Sequence, residues 1–263
     1  MSFKPISLIK EPNKRRGLYI ILAVLGVVVV AGGYLAYRYL DTPNSRRWQT
    51  YRAYLQNRGD YEDILLRPGM RCDGAPFAFP TTGVIFGLWN QPYRPGHLHA
   101  GLDIFSGAEP GVTPVYAAYP GYLTRKADWI ATVIIRIPSD PLDPGRQIWT
   151  YYTHMADVSG ETSFVSEVFP PGTEEVFVEA GTLLGYQGNY SGSPDNPTGL
   201  HLHFSVVKDD GAGSFLNELE IENTYDPTPY LNLPVNNAEH PDEFPTCAGE
   251  VTYENWNLVN GDE

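Results

Sequence analysis

The sequence predicts a mainly β protein, with an antiparallel β-sheet or sandwich domain that follows a single N-terminal transmembrane helix. Three observations support this prediction: the 263-residue chain contains 26 Gly and 23 Pro, it contains 18 Tyr, and most of its apolar runs are short. Gly and Pro mark turns, whereas aromatic and β-branched residues favour strands. A chain of this length can also bury a substantial core.

The predicted transmembrane helix is an uncharged segment of 21 residues, Gly17–Tyr37. As an α-helix this segment would be roughly 32 Å long, which matches the thickness of a bilayer core, about 30 Å. A cleaved signal peptide is the alternative interpretation. Signal peptides have apolar regions of only about 7–15 residues, and the length of this segment therefore favours a retained anchor.

Charge is distributed unevenly along the chain. Residues 1–40 carry a net charge of +5 and residues 41–263 carry −18, which gives −13 overall. A protein that binds nucleic acid needs a basic surface for the phosphates, so no nucleic-acid partner is expected. Basic residues flank the apolar segment on both sides, and the positive-inside bias is too slight to orient it.

Nine short segments rich in β-branched and aromatic residues predict the strands of the domain. Turn signals such as Pro-Gly and Asp-Pro-Gly separate them, and no helical periodicity is long enough for a βαβ repeat. The predicted strands are 83–88, 101–105, 114–117, 121–125, 132–137, 147–154, 175–179, 182–187 and 200–207.

These features predict five parts along the chain. They are a cytoplasmic tail (1–16), the transmembrane helix (17–37), a juxtamembrane linker (38–75), the β domain (76–232) and an acidic C-terminal tail (233–263). The linker is expected to contain a short helix, because Trp48, Tyr51 and Leu55 lie at helical spacing. Cys72 and Cys247 would form a disulfide outside the cytosol, and two unrelated thiols are the alternative.

Five of the six histidines lie in three short segments, PGHLHAGLDIF, TYYTHMADV and TGLHLHFSV. His201 and His203 belong to an alternating strand pattern, so their side chains project from the same face. Burying two imidazoles among apolar residues costs free energy unless a partner such as a metal ion pairs with them. Two hydrogen-bonded histidines on a solvated face are the alternative.

A further histidine and a carboxylate lie in the first of these segments, as His99 and Asp103. Gly101 between them permits a close approach of the backbone. With one further histidine they would supply three metal ligands and leave a fourth tetrahedral position for water, an arrangement typical of catalytic zinc. His97 also forms an HxH pair with His99, but no acidic residue follows it four positions later. We therefore expect His97 at the rim of the site or in contact with the ligands rather than with the metal.

The order of these motifs resembles that of the lysostaphin/LytM-type zinc metallo-endopeptidases, which cut the peptide bridges of bacterial cell walls. The HxxxD motif comes first, a Tyr-rich segment ending in His154 follows, and HLHF comes last. The resemblance extends over about residues 83–231 and includes YDPTPYL near its end. It implies that the domain of residues 76–232 is a peptidase domain of this type.

Carried over by position, the resemblance implies that His99, Asp103 and His203 bind Zn2+ and that His154 and His201 are the catalytic pair. One of this pair would be the general base toward the attacking water. The other would stabilise the oxyanion and donate a proton to the leaving amine. The implied partner is a peptidoglycan peptide, and the implied location is the cell membrane, single-pass, with the C-terminal domain extracytoplasmic. The oligomeric state is not predicted.

Several features depart from the family pattern. Ser205 stands where the family commonly has Glu after HLHF, so a contact that supports the metal site is expected to be missing. Leu200 replaces a small residue or Pro, and the segments 156–174 and 189–198 are longer than a minimal member needs. The family includes members that have lost ligands, so a non-catalytic cell-wall-binding or division-regulating protein is the alternative function. A zinc hydrolase of another extracellular peptide is a third.

Overall fold

The computed structural model describes residues 14–40, 43–94, 96–236, 240 and 243–258. The chain divides into two units, residues up to Arg46 and residues from Arg47 onward. Helix α1 (Lys14–Leu40) belongs to the first unit, and its segment Gly17–Tyr37 is long and apolar enough to cross a membrane. A signal sequence near the N-terminus meets the same criterion. Helix α2 (Pro43–Gln56) is the short helix expected in the linker.

The second unit is mainly β, which confirms the predicted fold class, and all nine predicted strands are present in it. The strands are β1 (Met70–Cys72), β2 (Val84–Gly87), β3 (Pro92–Arg94), β4 (His97–Leu98), β5 (Leu102–Phe105), β6 (Pro114–Tyr116), β7 (Gly121–Arg125), β8 (Val133–Ile137), β9 (Ile148–Thr153), β10 (Thr173–Val178), β11 (Leu183–Tyr186), β12 (Leu202–Lys208), β13 (Thr224–Tyr225) and β14 (Val251–Tyr253). The described 3-10 helices are Arg58–Ile64, Ile221–Asn223 and Thr228–Leu231.

Eight strands form one antiparallel sheet with the order β10-β7-β8-β9-β12-β5-β2, and β13 also pairs with β12. The remaining described strands pair as β1 with β14, β6 with β11 and β3 with β4. The register places His203 of β12 opposite Asp103 of β5 and opposite Thr153 of β9. Residues directly opposite each other share a face of the sheet, so the register brings these side chains together.

The other face of the same strands forms the main core. Leu102, Tyr152 and Phe204 each lie next in sequence to one of the three residues just named, so they point to the opposite face, and they are fully buried. They belong to one cluster with Phe77 and Tyr230, which come from outside the sheet. Burying each such side chain contributes roughly 1.5–3 kcal/mol, so this face supplies much of the stability of the domain.

The acidic C-terminal segment is attached to the start of the domain. Strand β14 pairs with β1, and Cys72 forms a disulfide with Cys247 at a Cα–Cα distance of 5.2 Å. The disulfide was one of the two alternatives that the sequence left open. In the chain-entropy account, closing a loop with a sequence separation of 175 residues stabilises the folded state by about 5 kcal/mol.

Candidate active site

Three of the side chains selected from the sequence converge on one face of the sheet: His99, Asp103 and His203. Nε2 of His99 lies 3.0 Å from Oδ1 of Asp103 and 3.1 Å from Nδ1 of His203. Nδ1 of His203 lies 2.8 Å from the same oxygen of Asp103. These three atoms form a nearly equilateral triangle, which we call the ligand triangle.

His99 lies just before β5, in a segment held by a turn at residues 88–91. The main-chain N–H of His99 donates to the carbonyl of Gln91 (3.0 Å), and its carbonyl accepts from Asn90 (2.7 Å). Ring atom Nδ1 lies 3.0 Å from the carbonyl oxygen of Leu88. A carbonyl oxygen only accepts hydrogen bonds, so Nδ1 carries a proton and Nε2 is the nitrogen that faces the ligand triangle.

His203 is held from its other ring nitrogen by a buried carboxylate. Its Nε2 donates to Oε1 of Glu218 at 2.7 Å, and Ser205 Oγ also donates to that oxygen, at 3.0 Å. Burial lowers the pKa of His203, but the carboxylates of Glu218 and Asp103 outweigh burial and raise this pKa to about 10. A positive charge is therefore favoured in the triangle, either as a proton on Nδ1 or as a metal ion that replaces this proton.

The ligand triangle fits a tetrahedral zinc ion. Bonds of about 2.0–2.2 Å to zinc put tetrahedral ligand atoms about 3.3–3.6 Å apart, slightly farther than the observed separations of 2.8–3.1 Å. Burial raises the pKa of Asp103, but His99 and His201 outweigh burial and hold this pKa well below its usual range. The carboxylate is therefore ionised at neutral pH, as a metal ligand must be.

Two glycines make room for the ligand triangle. A Cβ atom at Gly87 would lie 2.5 Å from Oδ2 of Asp103. A Cβ atom at Gly101 would lie 2.5 Å from Oγ of Ser205 and 3.0 Å from Nε2 of His203, and it would also collide with a main-chain carbonyl of β12. The close backbone approach expected at Gly101 is present, whereas the sequence analysis did not identify Gly87.

His201 lies next to the triangle, immediately before β12, and is only 3% exposed. Its Nδ1 lies 2.7 Å from the carbonyl oxygen of Gly199, so Nδ1 carries a proton. Nε2 lies 3.2 Å from Oδ1 of Asp103. The imidazole also stacks on Phe105, with ring centroids 4.6 Å apart and ring planes 16° apart.

His154 follows β9 directly and has a φ of +73°, a left-handed conformation that is unfavourable for a residue with a side chain. Its Nδ1 donates to the carbonyl of Tyr190 at 2.6 Å. Its ring centroid lies 4.5 Å from that of His201 and 5.9 Å from that of His203. Burial and then these two imidazoles hold the pKa of His154 well below its usual value, so its Nε2 is unprotonated near neutral pH.

The structure thus brings four histidines and one aspartate into a single cluster. Of the two remaining histidines, His97 is exposed on β4, and half-buried His240 contacts Glu243. Glu218 was not among the residues predicted from the sequence, and the expected loss of a contact at Ser205 was wrong. Glu218 supplies through space the carboxylate that this strand position lacks. Glu218 lies 15 residues after His203 in the sequence, so no local pattern could have identified it.

No protein-family model matches the chain, and no curated protein matches it. Ten chains of solved structures do match. One, from Ruminococcus gnavus, is described as a glycyl-glycine endopeptidase lytM. It is 25% identical over 50% of this chain and 45% of its own length, with a TM-score of 0.32. This chain therefore spans less than half of the Ruminococcus protein.

A second solved structure is the catalytic domain of the prophage-encoded M23 protein EnpA from Enterococcus faecalis, in a variant form. It is 24% identical over 58% of this chain and 95% of its own length, with a TM-score of 0.33. Both superpositions match only part of the fold, with TM-scores well below 0.5, and neither identifies the activity of this chain.

Proposed function

We propose that this chain is a zinc-dependent endopeptidase that is anchored in the cell membrane. We propose further that it hydrolyses peptide bonds in peptidoglycan cross-bridges or stem peptides at the outer side of the membrane. The main support is the geometry of the cluster. His99, Asp103 and His203 bring three ligand atoms within 3.1 Å of one another. His154 and His201 each donate Nδ1–H to a main-chain carbonyl and leave Nε2 for proton transfer.

The residues of the ligand triangle would hold the zinc ion. When bound, zinc would polarise the scissile carbonyl and the attacking water and stabilise the charge that develops on oxygen. Glu218 keeps the Nε2 proton of His203 in place, so the ring presents Nδ1 to the triangle. The Leu88 carbonyl accepts from Nδ1–H of His99, so that ring presents Nε2 to the triangle. Neither ring can therefore flip without losing a buried hydrogen bond.

His154 and His201 would move the protons of the reaction. Each donates Nδ1–H to a main-chain carbonyl, so Nε2 is the nitrogen of each ring that would exchange protons. One imidazole, neutral at Nε2, would take a proton from the attacking water. The other, which enters the reaction protonated on Nε2, would give that proton to the leaving amine. Acid–base catalysis by positioned side chains contributes about 10²–10⁴ in rate. The strained backbone at His154 supports such a role, because strain of this kind concentrates at functional sites.

The substrate and location in this proposal come from the motif resemblance and from two further features. The Cys72–Cys247 disulfide is of a kind that forms and persists in oxidising compartments. The segment Gly17–Tyr37 is long enough to anchor the chain. Peptidoglycan lies outside the cytoplasm, which agrees with both features.

Digestion of purified peptidoglycan by the full-length chain in detergent, with zinc added, tests this proposal. New amino termini should appear with the unaltered chain and with His240→Ala, a control at a half-buried histidine that contacts Glu243. His203→Ala should abolish cleavage because a metal ligand is lost. His154→Ala should lower the cleavage rate by at least 100-fold while zinc still binds.

Three outcomes would contradict the proposal in different ways. Binding to peptidoglycan without new amino termini would favour the non-catalytic alternative. Cleavage of other peptides but not of peptidoglycan would leave a zinc peptidase with a different substrate. A chain recovered from membranes without residues 1–37 would show that the apolar segment is a cleaved signal.

A further inference from the structure

Helix α2 packs beside the candidate active site, although it follows the apolar helix directly in the sequence. Its side chains Tyr51 and Tyr54 are 5% and 1% exposed. Together with Val84 of β2 they form a second hydrophobic cluster, against which Phe86 and Phe105 also pack. From Arg47 onward, α2 is therefore part of the folded domain that carries the site.

One series of contacts links α2 to His201. The ring of Tyr51 meets Phe105 edge-on, with centroids 5.2 Å apart, and Phe105 stacks on His201 at 4.6 Å. Phe105 lies two residues after Asp103 on β5, so both side chains are on the same face of the sheet. The phenyl ring limits rotation of the imidazole, whose Nδ1–H is directed at Gly199.

A second series of contacts links α2 to His99. The guanidinium of Arg47 is fully buried and donates to the carbonyl of Ile85 at 2.9 Å and, at the outer limit of a hydrogen bond, to Oε1 of Gln91 at 3.5 Å. Gln91 in turn accepts from the N–H of Leu88 at 3.0 Å. The turn fixed in this way contains both main-chain acceptors of His99. The Leu88 carbonyl accepts from the ring Nδ1–H, and the Gln91 carbonyl accepts from the main-chain N–H.

A third contact fixes the end of the strand that carries Asp103. The hydroxyl of Tyr54 donates to the main-chain carbonyl of Ser106 at 3.0 Å, and Ser106 is the first residue after β5. Arg58, just after α2, donates to the next carbonyl, that of Gly107. Tyr54 of α2 and Arg58, two residues after the end of α2, thus hold the end of β5 by hydrogen bonds from outside the sheet.

We propose that α2 is a positioning element of the site. Arg47 fixes the turn that orients the ligand His99, and Tyr51, through Phe105, fixes the ring of His201. The site then depends on a segment that the sequence analysis predicted to be a linker. The His99 part concerns metal binding alone, whereas the kinetic consequence of the His201 part rests on the proposed function.

Zinc affinity of the full-length chain in detergent, measured by competition with a chelator, tests the His99 part. Arg47→Met removes the donors, and Gln91→Ala breaks the same connection while leaving α2 intact. We expect each variant to weaken zinc binding about tenfold, with partial recovery in Arg47→Lys and less than a twofold change in Gln49→Ala, an exposed control on α2. Unchanged zinc affinity in both folded variants, verified by near-UV circular dichroism, would overturn this part.

The imidazole signals of ¹⁵N-histidine-labelled full-length chain test the His201 part without relying on activity. His201 should show a single tautomer with the proton on Nδ1 in the unaltered chain and an averaged tautomer in Phe105→Leu. Tyr51→Leu should give the same change to a smaller extent. A single tautomer in both variants would overturn this part, even if peptide cleavage is never detected.

If the unaltered chain cleaves peptides, kcat should fall about tenfold in Phe105→Leu, with KM and zinc affinity unchanged. The failures are distinguishable. A chain that binds zinc and has the expected tautomers but cleaves nothing contradicts the proposed function and leaves the role of α2 intact. A chain that cleaves peptides, but whose variants keep their zinc affinity and tautomers, contradicts the role of α2 and leaves the proposed function intact.

Discussion

Strand β12 buries both of its faces, but the two faces have different partners. On one face Leu202, Phe204 and Val206 are fully buried in the apolar core. On the other face His203 is 8% exposed and Ser205 is fully buried, and both hydrogen-bond to Glu218. Apolar burial is non-directional, whereas each buried polar atom on the second face needs a particular partner at a particular angle.

The difference has an energetic consequence. The apolar face stabilises the fold roughly in proportion to the area it buries, about 25 cal/mol per Å². The polar face costs free energy unless its groups are hydrogen-bonded. We therefore expect the apolar face to tolerate changes that preserve volume, and the polar face to tolerate almost none, because each of its buried polar groups needs its present partner.

The largest effect is expected at Gly101, just before β5, where the backbone closely approaches β12 on the polar face. Gly101→Ala introduces a Cβ atom 2.5 Å from Oγ of Ser205 and against the main-chain carbonyl of Phe204. Backbone atoms cannot yield easily, so the free energy of unfolding should fall by more than about 4 kcal/mol. Urea denaturation of the full-length chain would measure this change.

Gly145→Ala is the matched control, because the added Cβ atom would meet only Oδ1 of Asp143 at 3.9 Å. We expect a change within about 0.5 kcal/mol for this control. A small loss in Gly101→Ala as well would show that β5 and β12 can separate, and that the polar face is less constrained than its geometry indicates.

Zinc removal should give the next largest effect. At a free concentration 100 times its dissociation constant, a ligand of the folded state stabilises it by about 2.7 kcal/mol. For a domain of this size that is a rise of roughly 5–10 °C in Tm. Differential scanning calorimetry with zinc and with a chelator would measure it, and His203→Ala should show no such rise. A similar rise in His203→Ala would mean that zinc binds elsewhere.

A smaller effect is expected at the carboxylate that holds His203. Glu218→Gln keeps the shape and an oxygen acceptor for Nε2–H but removes the negative charge beside the ring. Changes to groups that orient metal ligands typically cost 10–100-fold in metal affinity, which is about 1.4–2.7 kcal/mol. Chelator competition would measure the loss.

A rescue experiment distinguishes a role of Glu218 in positioning the His203 ring from a general loss of stability. Ser205→Glu combined with Glu218→Ala returns a carboxylate to the strand position next to His203, where Oγ of Ser205 already lies 2.8 Å from Nε2. We expect this double variant to bind zinc more tightly than Glu218→Ala alone. Equal affinities would indicate that Glu218 acts through loop stability rather than through the His203 ring.

Local patterns in the sequence were sufficient to predict much of the molecule. The strands were predictable because alternation and turn residues are local signals, and His201 and His203 were predicted to share a face from their i, i+2 spacing alone. Glu218 was not predictable, because it lies 15 residues after His203 beyond an irregular loop, and no local pattern records that contact. The packing of Tyr51 on Phe105 and the pairing of β14 with β1 were missed for the same reason.

The smallest effect is expected one residue away from the site, on the other face of β12. Phe204→Leu removes ring contacts with Tyr152 and Phe77 in the core, which should cost about 1–2 kcal/mol of unfolding free energy. Because the side chain points away from His203, zinc affinity should change less than twofold. A tenfold loss of zinc affinity in the folded variant would mean that core packing sets the ligand geometry through the strand backbone. The two faces of β12 would then be coupled through the backbone, and their side chains could not be changed independently.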